Sequence, residues 1–402
     1  MRLAATRQSS RRAAAVRRSL WAISNPSIKG PVVRVICSEL DIYYGVTKRE
    51  YVAEYNAIKL YGNFCRRCCS AALRYKQSMT EMLRAPTHLR CHTYQGLAPG
   101  PALLVLGAVH GNEICGTQAI MQLLQDIDAG SVTIERGSVT FVPVTNPLAH
   151  QLKRRFGDRN LNRNMAPSAI PQDFEDRIAN VLTPLLDAHD VLLDLHSFHT
   201  GGAPFVMIGP QNNQGALEPF ALAVEEMQLA LHTGAPRIVE GWLDTYARGV
   251  QRRAARVDAA ITRSQTLVTN PNYGVGTTEY IRARGGYAVT LECGQHDDPA
   301  GVDVARHAIL QTLGLLGISS VKAVPPIAMP EILRLVEVTD KAHTGDVFAR
   351  EWRSFDAVKA GDVIGTRQTG EEVKAQGDGF VVFPNPRGEV GQEWFYFAQK
   401  RV

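Results

Sequence analysis

The main pattern of this sequence is a set of apolar runs. Each run ends in a polar side chain that can bind a metal ion or transfer a proton. Residues 102–108 are almost wholly apolar and lead into the polar turn HGNE at 110–113. A short continuous apolar run of this kind is consistent with a strand buried on both faces. Apolar positions then recur from 114 to 127 with helical spacing, which predicts an amphipathic helix. His110 and Glu113 should therefore lie at the carboxyl end of a central strand, where open α/β sheets bind ligands.

Two further apolar runs place similar side chains at strand ends. Val191–Leu195 is followed directly by His196, and Tyr287–Gly294 contains Glu292 near its end. If these strands share one sheet, His196 converges with the histidine and glutamate of the HGNE turn. Two histidines and one glutamate with an open fourth position are the ligands of a catalytic zinc site. Glu292 is then free to act as the general base.

Each of these residues also has an ordinary structural explanation. A single histidine after a strand is more often a surface or hydrogen-bonded residue than a ligand. A glutamate such as Glu113 in the first turn of a helix is favourable there because of the helix dipole. The zinc interpretation depends on the coincidence of three strand ends that carry metal-binding or acid–base groups.

The remaining alternation of strand and helix patterns predicts an α/β fold. A catalytic domain over 86–320 contains further strands at 138–145 and 204–209, and helices at 171–187, 217–231 and 302–316. The stretch 269–284 is predicted to be rich in loops. From residue 332 short β-like runs predict a small C-terminal β domain, 331–402. Its aromatic residues should form its core: Phe380, Phe383, Trp394, Phe395, Tyr396 and Phe397.

Charge separates the first 78 residues from the rest of the chain. The chain has a net charge of +5, but residues 1–78 alone carry +11 and the remainder −6. This extension fits a transit peptide, a basic nucleic-acid or membrane arm, or a mis-assigned start upstream of Met79 or Met82. We expect the last alternative, or a disordered extension, because the informative motifs all lie further along the chain.

Cysteine usage and hydropathy narrow the cellular context. The seven cysteines form no disulfide-framework pattern, which favours reduced thiols and a cytoplasmic location. The sequence has no run of about 18 apolar residues and no aromatic–basic pattern for nucleic acid. We therefore expect a small-molecule substrate and no nucleic-acid or membrane partner. Homo-oligomers are compatible with the sequence.

Four motifs, taken in order, resemble one known family. HGNE (110–113), RNLNR (159–163), DLHS (194–197) and LECG (291–294) follow the motif order of the succinylglutamate desuccinylase/aspartoacylase family, relatives of the zinc carboxypeptidases. The resemblance covers about Leu89–Val402. It implies a zinc-carboxypeptidase-like α/β/α sandwich with a mixed sheet, followed by a small C-terminal β domain.

The resemblance also implies a role for each site residue. By motif position, His110, Glu113 and His196 would bind one Zn²⁺ per subunit, and Glu292 would be the general base. Arg155 would stabilise the oxyanion.

Three further residues, Asn162, Arg163 and Arg282, would bind the substrate carboxylate, with Arg284 as the competitor of Arg282. One departure concerns Asn160, because aspartoacylase-like members carry an aspartate at this position.

The implied reaction is zinc-dependent hydrolysis of the amide bond of an N-acyl amino acid, and a small acidic substrate is expected. The nearest alternative is a zinc carboxypeptidase that acts on short peptides. A binding protein without turnover is a second alternative, against which the complete set of ligands and Glu292 argues. The identity of the acyl group and of the amino acid is not indicated by the sequence.

Overall fold

A mixed β-sheet of eleven strands forms the centre of residues 85–401. The computed structural model describes residues 32–37, 40–45, 85–255 and 269–401. The chain divides into two compact units, Met1–Arg84 and Ala85–Val402. In the first unit, β1 (Val32–Cys37) and β2 (Leu40–Gly45) form an antiparallel pair. The rest of the predicted extension 1–78 lies outside the described residues.

In the second unit, strands alternate with helices up to residue 315, and only strands follow after it. The eleven-stranded sheet contains β3 (His92–Gln95), β4 (Ala98–Leu106), β5 (Arg136–Val142), β6 (Val191–Phe198), β7 (Phe205–Met207), β8 (Arg237–Glu240), β9 (Tyr287–Gln295), β10 (Glu331–Asp340), β12 (Asp356–Val358), β15 (Gly379–Val382) and β16 (Glu393–Lys400). A separate three-stranded sheet contains β11 (Val347–Phe348), β13 (Val363–Thr366) and β14 (Glu372–Lys374).

The order of the large sheet is β12-β15-β16-β10-β8-β7-β9-β6-β4-β5-β3. The central strands β5, β4, β6 and β9 are parallel, whereas β7 is antiparallel to β9. The predicted α/β architecture with a mixed sheet is confirmed. Because β4, β6 and β9 are adjacent and parallel, their carboxyl ends lie at one edge of the sheet.

Seven α-helices are described in the second unit: α1 (Cys115–Asp128), α2 (Pro147–Gln151), α3 (Phe174–Asp187), α4 (Ala223–His232), α5 (Trp242–Ala254), α6 (Thr277–Ala283) and α7 (Ala300–Leu315). None of the described helices is long and apolar enough to cross a membrane.

Alternate residues of β4 enter two different cores. Leu103 and Val105 pack in a cluster with residues of α1 and α7, whereas Leu104 and Leu106 pack in a cluster with residues of α3 and α6. All four side chains are fully buried. Successive strand side chains point to opposite faces, so the continuous apolar run reflects a strand covered by helices on both sides.

The C-terminal strands continue the eleven-stranded sheet beyond β8. Strand β10 pairs in parallel with β8, and Ile332 lies opposite Ile238. The predicted aromatic core is confirmed for the residues of β16, since Trp394, Tyr396 and their aromatic neighbours are all buried. The division into 86–320 and 331–402 stays a prediction, and the two parts share one sheet.

Three of the described helices were not expected from the sequence. Helices α2 and α5 have no counterpart among the predicted elements, and α6 occupies part of the stretch predicted to be rich in loops. The start of α6 is stabilised locally by the Glu279 carboxylate, which accepts a hydrogen bond from the backbone N–H of Gly276. It is also stabilised from a distance, because Oδ1 of Asn162 accepts from the N–H of Thr277. A cap contributed by a side chain 115 residues away leaves no local sequence signal.

Candidate metal centre and active site

The HGNE turn follows β4 and precedes α1, as the apolar pattern predicted. His110 and Glu113 are buried, at 3% and 1% exposure. Gly111 passes close to α2, and a Cβ atom there would lie 2.0 Å from the carbonyl carbon of Ala149. Only glycine allows this approach without displacing the backbone, which explains the glycine of the motif.

His196 and Glu292 are brought together by the pairing of β6 with β9. The two residues are register partners on adjacent parallel strands. His196 lies inside β6 and not just past its end, since that strand continues to Phe198. Both side chains are buried. Because neighbouring strands lie about 4.8 Å apart, the register places Glu292 beside the histidine.

The two histidines and Glu113 converge at their ligand atoms. Nδ1 of His110 lies 2.9 Å from Oε1 of Glu113, and Nδ1 of His196 lies 2.8 Å from Oε2. The two Nδ1 atoms are 3.2 Å apart. All three ligand atoms lie within 4.8 Å of one another. Two imidazole nitrogens and one carboxylate oxygen suit Zn²⁺, so the residues present fit this ion.

The Nε2 atoms of the two histidines face side-chain oxygens of different charge, one from an amide and one from a carboxylate. Nε2 of His110 lies 2.9 Å from Oδ1 of Asn160, and Nε2 of His196 lies 3.2 Å from Oδ2 of Asp194. These contacts favour the tautomers with a proton on Nε2, which leaves the Nδ1 lone pairs available for a metal.

Charges in this cluster shift one another strongly. Burial alone raises the pKa of Glu113, but the two adjacent histidines outweigh it and hold that pKa well below its usual range. Burial and the nearby Arg155 lower the pKa of His110 to about 4. Burial raises the pKa of Glu292 to about 8, partly offset by His196. Oε2 of Glu292 is buried and lacks a hydrogen-bond partner within the described part of the chain.

The basic segment after α2 is folded against the centre. Nη1 of Arg155 lies 2.7 Å from Oε1 of Glu113, and its side chain is 47% exposed. The Glu175 carboxylate accepts hydrogen bonds from the backbone N–H groups of residues 157, 158 and 159. A buried carboxylate therefore orders the backbone that carries the predicted substrate-binding residues.

A family model matches this part of the chain. Residues 99–307 match the succinylglutamate desuccinylase/aspartoacylase catalytic domain. The chain belongs to this family. The matched segment contains the HGNE turn, His196 and Glu292, so the family assignment covers the complete candidate centre.

Relatives of this family member support the same fold. It is similar to a succinylglutamate desuccinylase/aspartoacylase structure from Rhodobacter sphaeroides, with TM-score 0.59 and 19% identity over 79% of this chain and 90% of that one. It is also similar to a product-bound structure of the ectoine utilization protein EutE from Ruegeria pomeroyi, with TM-score 0.58 and 20% identity over 77% and 88%. At such identities the likeness shows the fold alone.

A sequence match extends to a mammalian enzyme. The chain is 36% identical over 106 residues to the N-acyl-aromatic-L-amino acid amidohydrolase (carboxylate-forming) of Rattus norvegicus. The match covers 23% of this chain and 32% of the rat protein, so it spans about a third of that relative.

Arg163 in this family member lies among aromatic rings. Its guanidinium carbon is 4.7 Å from the ring centroid of Trp242 and 5.0 Å from that of Tyr246. Nη1 donates to the backbone oxygen of Asn162, and within the described residues no carboxylate forms an ion pair with this side chain. It is only partly buried, so it keeps access to solvent.

Asn162 has its amide group oriented by α6. Its Oδ1 accepts from the backbone N–H and, at 3.3 Å, from the hydroxyl of Thr277. The amide oxygen is therefore used within the protein, which leaves the NH₂ group as the part that can donate to a ligand.

Arg282 is placed differently from the sequence expectation. It is 4% exposed and forms ion pairs with Glu226 at 2.7 Å, Glu218 at 2.8 Å and Glu279 at 3.5 Å. Its Nη2 donates to the backbone oxygen of Ala288. The charge of this guanidinium is thus neutralised by carboxylates within the fold, which favours a structural role. Its predicted role in binding the substrate carboxylate stays a prediction.

The aromatic surroundings of Arg163 could not be found from the sequence. Trp242 and Tyr246 belong to α5, Tyr273 precedes α6, and Tyr396 lies on β16. The hydroxyl of Tyr396, whose ring was expected only as core, is buried without a hydrogen-bond partner in the described chain. Three separate segments contribute, and no spacing in the sequence links them.

Proposed function

We propose that this family member is a zinc-dependent hydrolase that removes the acyl group from an N-acyl amino acid. The observation that carries the proposal is the convergence of His110, Glu113 and His196 beside Glu292. When bound, zinc supplies a positive charge that polarises the scissile carbonyl and makes water more acidic. The three ligand residues hold it, and the remaining steps belong to other side chains.

Glu292 is the proposed general base. Its carboxylate is buried next to His196, and its Oε2 is free of protein partners among the described residues. It takes the proton of the attacking water and returns it to the leaving amine. Burial raises the pKa of Glu292, and a cation held beside it would lower that pKa again toward neutrality. A general base works best with a pKa near the operating pH.

Arg155 is the proposed oxyanion stabiliser. It is half exposed, and it lies 2.7 Å from Glu113 at the edge of the ligand cluster. A guanidinium at this position offers further N–H donors to the oxygen that becomes negative when the amide carbonyl is attacked. Loss of one such donor typically lowers kcat by about 10²–10³-fold.

Asn162 and Arg163 are the proposed substrate anchors. The segment that holds them also holds Asn160, whose side chain contacts His110. A carboxylate bound by the Arg163 guanidinium and the Asn162 amide would fix the substrate relative to the metal ligands.

We infer from the free thiols of Cys91, Cys115 and Cys293 that the protein works in a reducing, cytoplasmic compartment.

The C-terminal strands favour a deacylase over a carboxypeptidase. Pro384 accepts a hydrogen bond at 2.9 Å from His199, which lies just after the ligand strand β6. The C-terminal region therefore contacts the loop at the catalytic edge of the sheet. A wall at this position restricts the space for an extended peptide, whereas a single N-acyl amino acid needs much less room.

The test is amine release, followed by mass spectrometry, from the zinc-loaded full chain. The panel contains several N-acyl amino acids and a blocked dipeptide, each with and without a chelator. Chelator-sensitive release from an N-acyl amino acid is expected. Cleavage of the dipeptide alone would move the protein to the carboxypeptidases, and release that resists chelation would exclude the zinc-dependent reaction.

A further inference from the structure

A chain of polar contacts runs from one proposed metal ligand to the segment proposed to anchor the substrate. Nε2 of His196 lies 3.2 Å from Oδ2 of Asp194, and the same carboxylate oxygen accepts a hydrogen bond at 2.5 Å from the hydroxyl of Thr277. The backbone N–H of Thr277 donates at 2.9 Å to Oδ1 of Asn162. Strand β6, the first residue of α6 and the RNLNR motif therefore meet at one threonine.

The first three members of this chain of contacts are buried. Asp194 and Thr277 are fully buried, and His196 is almost so. Bulk water therefore cannot replace a donor that is lost from the Asp194 carboxylate. Removing one donor from a buried charged group costs the full desolvation of that group, which is more than the same loss costs at the surface.

The close approach of Asn162 to α6 depends on a glycine. A Cβ atom at Gly276 would lie 2.1 Å from Oδ1 of Asn162 and 2.9 Å from its Cγ atom. The backbone of Gly276 is extended, a conformation that any residue can adopt, so the glycine is required by the space and not by the dihedral angles. A side chain at position 276 would push the amide of Asn162 away from Thr277.

The far end of α6 is also held by tertiary contacts. Arg282, in the last turn of this seven-residue helix, pairs with Glu226 of α4 at 2.7 Å and with Glu218 at 2.8 Å. Its Nη2 donates to the backbone oxygen of Ala288 on β9. Both ends of the helix are thus restrained, which fixes the position of Thr277 relative to the central strands.

The contacts continue from Asn162 to the second proposed histidine ligand. The backbone N–H of Asn162 donates at 2.9 Å to Oδ1 of Asn160, and that oxygen lies 2.9 Å from Nε2 of His110. His110 and His196 therefore contact each other directly at their Nδ1 atoms, and they are also joined behind their rings through the anchor segment and Thr277.

We propose that Thr277 is a positioning residue that fixes the proposed metal ligand His196 and the proposed substrate anchor Asn162 relative to each other. This inference rests on the deacylase function proposed above and adds a residue to its site. The hydroxyl acts on the imidazole through Asp194, and the backbone N–H acts on the amide of Asn162. Groups behind a metal ligand set its orientation and basicity, and their loss typically lowers metal affinity about 10–100-fold.

Zinc affinity tests the hydroxyl without any turnover. Thr277→Val keeps the branched shape and removes the donor, so the dissociation constant of zinc should rise about tenfold in competition with a chromogenic chelator. Thr277→Ser keeps the donor and should retain most of the affinity. The matched control is Thr278→Val on the same helix, because the hydroxyl of Thr278 contacts Glu279 at 3.1 Å. Equal losses in the two valine variants, or wild-type affinity in Thr277→Val, would overturn the role of the hydroxyl.

Steady-state kinetics at saturating zinc test the substrate side. Gly276→Ala displaces the amide of Asn162 and keeps the Thr277 hydroxyl, so KM for an N-acyl amino acid should rise about tenfold with little change in kcat. Thr277→Val keeps the N–H that binds Asn162, so kcat should fall about tenfold, through misplacement of His196, with little change in KM. The same change of kcat and KM in both variants would indicate a general disturbance of α6 and overturn the proposal.

The two measurements also separate this inference from the proposed function. If the zinc-loaded chain hydrolyses no N-acyl amino acid, the deacylase function fails, while the zinc affinities of the threonine variants still test Thr277. If amine release is normal and both Thr277→Val and Gly276→Ala match the wild-type protein in every constant, the deacylase function stands and the positioning role is refuted. A wild-type chain that binds no zinc would overturn both.

Discussion

Asn160 accepts a hydrogen bond from His110, one of the three proposed metal ligands, with its Oδ1 atom 2.9 Å from Nε2 of that histidine. The same oxygen accepts the backbone N–H of Asn162, so the orientation of the amide is determined by two donors. Asn160 thus accepts two hydrogen bonds without the negative charge of the aspartate that aspartoacylase-like members carry at this position. The other histidine, His196, retains a carboxylate partner in Asp194.

Restoring the charge at position 160 should tighten metal binding. We expect Asn160→Asp to raise zinc affinity about tenfold, because a carboxylate makes the imidazole a stronger ligand, and Asn160→Ala to lower it about 10–100-fold. Competition with a chromogenic chelator measures both values. If Asn160 only stabilises the loop, the Asn160→Asp variant and the wild-type protein will bind zinc with equal affinity.

Glu292→Gln should abolish turnover without loss of metal. The substitution keeps the size of the side chain and removes the proton acceptor, so kcat should fall about 10²–10⁴-fold. Metal content by elemental analysis is expected to stay at one equivalent. A variant that loses its zinc would show that Glu292 is a ligand and not the base.

His196→Ala should lose the metal, because only two of the three proposed ligands remain and the buried Glu113 loses the partner of its Oε2 atom. The matched control is His199→Ala, three residues along the chain, whose Nε2 contacts the carbonyl of Pro384. Equilibrium dialysis against zinc should give a full equivalent for the control. Retention of a full equivalent by His196→Ala would refute the ligand set.

Arg282→Gln should destabilise the fold. Removing the guanidinium leaves Glu226 and Glu218 buried without their partner, which typically costs about 3–5 kcal/mol. Urea denaturation of the variant and of Arg284→Gln, an exposed arginine two residues away, measures the difference. An Arg282→Gln variant with normal stability and a raised KM would instead support the role in substrate binding.

Asp346 should make the stability of the C-terminal strands depend on acid pH. Burial alone raises the pKa of Asp346, but the backbone N–H of Gln368, the guanidinium of Arg367 and further backbone donors hold it well below its usual range. A depressed folded-state pKa adds stability above the unfolded pKa of about 3.9, and this stability is lost as the pH falls.

The variant Asp346→Asn should therefore be about 2 kcal/mol less stable at pH 7, and its deficit should shrink below about pH 4. Thermal unfolding as a function of pH measures the difference. Asp378→Asn, in an exposed pair with Lys359, should unfold close to the wild-type temperature at both pH values. A deficit that stays constant down to about pH 2 would exclude the charge as its cause.

The local pattern of the sequence was sufficient for the central elements. The apolar run of β4 predicted a doubly buried strand, and the helical spacing after the HGNE turn predicted α1 to within one residue at each end. Periodicity and the polar ends of apolar runs are short-range properties, and they also singled out His110, Glu113, His196 and Glu292. Burial on both faces of the sheet makes these signals strong.

Tertiary structure decided which of these groups meet and which charges remain available. The register of β6 and β9 places Glu292 beside His196, and that register depends on residues about a hundred positions apart. Arg163 and Arg282 look equivalent in the sequence, yet one lies against Trp242 and the other is neutralised by three glutamates. Whether a charged side chain binds a ligand depends on the charges that surround it in space. Those neighbours come from distant segments, so only the folded chain determines them.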